Sequence, residues 1–280
     1  MVSVKVASVA AVAALFSTMA SAADMPQLPP VYAPPIEEAA VGGWYLRGDI
    51  GMTNQSFKNL HQRLYDVPGT SVEANDMGWD SSMFWGIGAG YKFNDWFRAD
   101  VTGEYRGKAT FHGSDNVRFT GGQGVDNYNG SKSEWVVMAN AYVDLGTWWC
   151  ITPYIGGGVG AANVKISGFR DDGFNYVGGV LNNSTAYAAD ASKWNFAWSV
   201  QAGLTYQVTR SMAIDFGYRY IDLGDGTTGP TRAFDGSFVN GGPFTFNHIT
   251  SHDLKLGIRW MLEPPMPAQP AMLPPLMRRG

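Results

Sequence analysis

The chain has 280 residues, of which only 16% are charged and 14% aromatic, with a formal net charge of -4 and a mean hydropathy near zero. This balance excludes a basic nucleic-acid-binding face, and past the N-terminus no apolar run reaches the ~20 residues of a membrane-spanning helix. The single cysteine, Cys150, excludes an intramolecular disulfide and reads as a buried small residue in preference to a free thiol.

In chain order, Lys5 precedes an Ala/Val-rich segment through Phe16, and Ala20-Ser21-Ala22 supplies small residues for cleavage. Residues 1–22 therefore read as an export signal peptide. Residues 23–42 are Pro-rich and aperiodic, which suits an extended periplasmic linker.

Eight segments then alternate between apolar and polar side chains, the period of a strand with two different faces. The first sets Trp44, Leu46, Ile50 and Met52 against Tyr45, Arg47 and Asp49. The second sets Met83, Trp85, Ile87 and Tyr91 against Gly86, Gly88, Gly90 and Lys92. In the third, Phe97, Ala99, Val101 and Tyr105 oppose Arg98, Asp100, Glu104 and Arg106. The fourth carries Trp135, Val137 and Val143 against Glu134, Asn140 and Asp144, and the Gly-rich fifth carries Ile155 and Val159 against Tyr154, Gly156 and Gly158. The sixth spans Trp194 to Gln207, the seventh Met212 to Tyr220 with Asp215 and Arg219 on its polar face, and the eighth Asp253 to Trp260 with Asp253, Lys255 and Arg259 on its own.

Connections of about 26 residues follow strands one, three, five and seven, and only a few residues follow two, four and six, the pattern of a membrane barrel with long extracellular loops and short periplasmic turns. The long ones, near Asn54–Ser81, Gly107–Lys132, Lys165–Ser192 and Asp222–Ile249, read as polar surface loops without strand patterning. Aromatics gather at both strand ends, as in interfacial girdles. A lipocalin-like soluble barrel explains the alternation but neither the girdles nor the one-sided long loops. The expected fold is an all-β, eight-stranded antiparallel up-and-down transmembrane β-barrel over residues 43–261, with a Pro/Met-rich periplasmic tail over 262–280.

The opening strand Trp44-Tyr45-Leu46-Arg47-Gly48-Asp49, the Thr152–Ala162 strand and the closing His252–Trp260 strand resemble the small outer-membrane β-barrel proteins of alphaproteobacteria, related to opacity-type adhesins and surface antigens. The resemblance implies the bacterial cell outer membrane, envelope integrity and surface display, and no catalytic residues. One departure stands out: the assembly machinery of such barrels reads an aromatic residue closing the last strand at the chain end, whereas here a tail follows Trp260.

On the polar face, seven cations (Arg47, Lys92, Arg98, Arg106, Arg219, Lys255, Arg259) meet seven anions (Asp49, Asp100, Glu104, Glu134, Asp144, Asp215, Asp253). An eight-stranded barrel is just wide enough for side chains to fill, so these read as a self-neutralising plug. Matching register predicts ion pairs of Arg98 with Asp144 and of Arg106 with Glu134. Lys108, Lys132, Lys165 and Lys193, just past the outer strand ends, are candidate contacts for lipopolysaccharide phosphates.

Chemical motifs fail on spacing. Gly156-Gly157-Gly158-Val159-Gly160-Ala161 has no helix after it, His248 and His252 are far apart on a strand, and Ser251 and His252 point to opposite faces. No cofactor, metal or catalytic residue is expected. The reading is a non-enzymatic surface barrel, with a narrow channel as the alternative and a lipid-modifying enzyme as a third. Expected partners are outer-membrane lipids and lipopolysaccharide, the barrel assembly machinery during biogenesis, and a surface or periplasmic partner of unknown identity; nucleic acid is not expected.

Overall fold

The computed structural model describes residues 42–262; the export segment, almost all of the linker and the tail from Glu263 lie outside the described residues. Among the described residues twelve strands form: β1 Gly43–Ser56, β2 Asn59–His61, β3 Ser71–Trp79, β4 Ser82–Lys92, β5 Phe97–Phe119, β6 Gly122–Asp144, β7 Ile151–Val177, β8 Val180–Ala188, β9 Ala191–Gln207, β10 Met212–Thr227, β11 Thr231–Ala233 and β12 Thr245–Met261. A 3-10 turn, Arg63–Asp66, lies between β2 and β3.

Eight of these close a ring in which every neighbour is antiparallel: β1 pairs with β4, β4 with β5, β5 with β6, β6 with β7, β7 with β9, β9 with β10, β10 with β12, and β12 returns to β1. Closure removes the sheet edges, which is what lets a strand structure cross hydrocarbon with its backbone groups satisfied. The eight strands are those read from the alternation, with Arg106 directly opposite Glu134 in the β5–β6 register. Arg98 stands opposite Tyr142 and reaches Asp144 diagonally.

The period-two pattern becomes two surfaces. Outward lie Leu46, Ile50, Ile87, Val101, Val137, Val159, Phe196, Val200, Leu204, Phe216, Leu256 and Ile258, all exposed. A soluble barrel would bury these; here they form the apolar band. One girdle joins Trp44, Tyr91, Phe93 and Phe97 ring to ring, with centroids 5.1–5.3 Å apart. At the other rim Tyr105 meets Trp135 at 4.9 Å and Trp198 meets Tyr220 at 5.6 Å.

Two expectations are corrected. The long connections are not devoid of strand structure: β5 and β6 run 23 residues each and β7 runs 27, carrying the sheet well past the girdle before tight turns at Thr120-Gly121 and Gly178-Gly179. Gly178 (φ 58°) and Gly179 (φ 86°) both occupy the left-handed region that the short hairpin turn matching the strand twist requires. Bulges at Arg106/Ala109 and Asn129/Ser131 shift the register and obscure the alternation in the sequence. Cys150 is exposed, not buried. It forms, with Trp149, the two-residue turn between the bridged residues Trp148 and Ile151, both with positive φ, so its side chain belongs to neither face of a strand.

Candidate functional site

Among the described residues, the barrel lumen gathers most of the buried charge. Every predicted interior charge except Lys92 is buried. Lys92 stands at the short-turn rim, paired with Asp95 at 3.3 Å and partly exposed, because it is the last residue of β4. Arg47 bonds Asp49 through two nitrogens and Asp100 through a third contact, each 2.8 Å. Arg106 grips both oxygens of Asp253 (2.8 and 2.7 Å), donates to Ser251 and lies 3.3 Å from Glu134. Arg219 clamps Glu104 with bonds of 2.7 and 2.6 Å and also reaches Asp253 at 2.8 Å. Arg98 pairs with Asp144 at 3.2 Å and Arg259 with Asp215 at 3.4 Å; Lys255 is buried with no ion-pair partner among the described residues. Bidentate Arg–carboxylate geometry of this kind fixes orientation as well as charge.

Glycine and aromatic residues make the space. A side chain at Gly86 would lie 2.7 Å from Glu104 Cγ, and one at Gly156 2.7 Å from the Tyr142 ring, so these bare positions admit the long side chains of neighbouring strands. The Arg98 guanidinium stacks over Tyr142 at 4.1 Å and Tyr154 at 4.8 Å, and Phe84 lies beneath Arg106 and Arg219.

Lys132 is a further correction. Proposed from sequence as a lipopolysaccharide contact, it is buried, bonded to Glu134 and set 4.9 Å from the Trp79 ring. The β6 strand continues through this position with Lys132 on the same inward face as Glu134, so its ammonium enters the lumen. With Lys132 in the place assigned to Lys92, the plug still opposes seven cations to seven anions. Lys108, Lys165 and Lys193 do point outward; Lys165 faces Asp190 at 3.8 Å and Lys193 faces Asp225 at 3.2 Å.

Sequence reasoning missed what fills the lumen towards the long hairpins. Trp79, Phe111, Tyr128, Phe169, Phe244 and Phe246, all contributed beyond the band, turn inward and join Val136, Met138, Val164, Ile166, Ile221 and Leu223 in one buried cluster. Rings meet at 4.9 Å for Trp79–Phe111 and Phe111–Phe246 and at 4.7 Å for Phe169–Phe244. The Phe244-Thr245-Phe246 alternation was the available signal. At the opposite end a vestibule of about 650 Å³, lined among others by Lys92, Asp144, Arg210 and Arg259, stops at the ionic plug.

Ser251 is inside, bonded to Arg106 and Asp253, while His252 is outside, bonded to Tyr218. They cannot act together. His248 caps an Asp225 oxygen through its backbone, and no group of three or more His, Cys, Asp or Glu residues suited to a metal occurs among the described residues.

A family model described as an outer membrane protein beta-barrel domain matches residues 8–260. The chain belongs to this family. An uncharacterised protein of Brucella abortus strain 2308 is 31% identical over 267 residues, covering 86% of this chain and 92% of its own. Outer membrane protein PagN of Salmonella typhimurium is 34% identical over 143 residues, covering 50% and 56%. A Rickettsia prowazekii protein named as a candidate adhesin is 26% identical over 222 residues, covering 78% and 86%. Family membership and the apolar band together locate this barrel in the bacterial outer membrane.

Proposed function

We propose that this barrel is a non-conducting, non-enzymatic surface protein whose long-hairpin rim faces the cell exterior and makes adhesive contacts. The observation that carries the reading is the division of labour along the barrel axis. An ion-paired plug and an aromatic cluster fill the lumen, while β5 to β8 continue past the band as a sheet whose outward face bears Val125, Phe174, Tyr176, Leu181 and Tyr187 among Asn, Asp and Arg side chains. Exposed aromatics on a pre-ordered sheet contribute contact area at little entropic cost. The adhesin description of one relative points the same way.

Adherence of a non-adherent host strain displaying the protein tests the reading. Replacing residues 112–129 with a two-residue turn is expected to abolish adherence while the folded, heat-modifiable band remains; undiminished adherence rejects it. Planar-bilayer recording is expected to show no reproducible openings, and openings altered by Arg47→Ala or Glu104→Ala favour the channel alternative. Lipopolysaccharide remains a proposed lipid partner through Lys108, Lys165 and Lys193, tested by its co-purification with the triple Gln variant. The barrel assembly machinery is the proposed biogenesis partner, reading β12 internally.

A further inference from the structure

Past the apolar band three aspartates share the inward face of the extended sheet. Asp115 on β5 stands directly opposite Asp126 on β6, and Asp171 on β7 stands opposite Tyr128, two residues along β6 from Asp126. Asp115 is fully buried. Its Oδ2 accepts hydrogen bonds from Tyr65 at 3.3 Å and Tyr128 at 3.1 Å, and the two hydroxyls lie 2.8 Å apart. Its Oδ1 and the buried Oδ1 of Asp171 have no partner.

Tyr65 belongs to the 3-10 turn of the first long connection, so this hydroxyl cluster ties that connection to the sheet. Of the turn's other titratable groups, Asp66 pairs with His61 of β2 at 3.4 Å and Arg63 lies on the surface. The Phe244 ring, just ahead of β12, packs on Tyr128, and the Ser184 hydroxyl of β8 and the Asp126 carboxylate both face Gly173. Asp115 acts on Asp126, and Asp126, Asp115 and Asp172 act on Asp171, each adding to the effect of burial.

We propose that Tyr65, Tyr128 and the carboxylates of Asp115, Asp126 and Asp171 form a proton-operated latch, which holds the first long connection over the aromatic cluster in acid and frees it as the carboxylates ionise. Asp115 is buried and Asp126 and Asp171 are partly exposed beside it, and carboxylates crowded in this way resist carrying charge together, so the closed form holds protons more tightly. Burial, reinforced by neighbouring aspartates, pushes Asp126 up to about 6 and Asp171 up to about 8, and burial raises Asp115. In the freed state these groups titrate near the ordinary carboxylate value of about 4. The closed form therefore binds more protons between these limits: its stability is fully present below about pH 4 and is lost as pH rises through 6 and 8. Each pKa unit of difference shifts the closed–open ratio about tenfold.

The latch lies at the rim we assign to the exterior, but its test uses purified, refolded protein and is independent of that assignment. Hydrogen exchange of the peptide spanning residues 60–70 is compared at pH 5.5 and 8.5 after correction for intrinsic rates. Protection of the Tyr65, Val67 and Thr70 amides, which bond to Gln62, Leu64 and Val67, is expected to fall at least about tenfold at the higher pH, with β1 unchanged. Asp126→Asn with Asp171→Asn is expected to remain protected at both pH values, and Tyr65→Phe to lose protection at both. Equal wild-type protection at the two pH values overturns the latch, as does a pH response that persists in the double Asn variant. Should that variant fail to refold, carboxyl NMR titration of the wild type decides: Asp126 and Asp171 both titrating near 4 overturns the proposal.

Discussion

At Arg106 the plug is most tightly specified, since one guanidinium serves Asp253, Ser251 and Glu134. Removing it takes a bidentate partner from buried Asp253 and leaves Glu134 with Lys132, and breaking such a buried pair costs about 3–5 kcal/mol. Arg106→Met is therefore expected to lower unfolding free energy by that order in urea titrations of the lipid-reconstituted barrel. Adding Asp253→Asn is expected to recover much of the loss, because six buried cations then face six anions and Glu134 keeps its contact with Lys132. Arg98 and Asp144 provide the complementary case: Arg98→Glu and Asp144→Arg are each expected to reduce the heat-resistant folded band, and the exchanged pair to restore it. Additive losses would show that their 3.2 Å contact does not fix register.

Among the elements, the β7–β8 hairpin depends on its turn more than on its pairing partners. With Gly178 and Gly179 both at positive φ, valine at each position costs roughly 1–2 kcal/mol per residue. Gly178→Val with Gly179→Val is expected to open this tip to trypsin cleavage at Arg170 while leaving the barrel core resistant. The aromatic cluster ties the hairpins to the barrel in a different way. Phe111, on β5, meets Trp79 from β3 and Phe246 from β12, so Phe111→Ala removes a buried ring shared by three strands. A loss of about 3–5 kcal/mol is expected, read as a lower urea midpoint.

For the whole molecule, strand number fixes which rim each turn occupies, and the exposed native thiol becomes the reporter. An impermeant maleimide on intact cells is expected to spare Cys150, at the short-turn rim, and to label it once the outer membrane is permeabilised. In a Cys150→Ser background, cysteine at Asn127, on the β5–β6 hairpin, is expected to label without permeabilisation. Labelling of Cys150 on intact cells would reverse the barrel's assigned orientation.

The eight-strand scaffold was legible in the sequence because a barrel crossing hydrocarbon must keep every outward residue apolar, which leaves a strict period of two from Trp44 to Met52 and from Phe97 to Tyr105. The interior charge set was legible for the same reason, since it occupies the alternate positions of those runs. Beyond the band the outward face meets water and tolerates any side chain, so the alternation in β5 to β8 dissolves into Asn, Gly and Asp, and bulges break its phase. Only the closed tertiary structure decided that Lys132 turns into the lumen, that Phe111, Phe169 and Phe244 meet from three separate connections, and that Tyr65 reaches Asp115 across 50 residues. Those contacts depend on how far each hairpin extends past the rim and how the strands stagger around the ring, quantities that pairing register sets and local residue pattern does not encode.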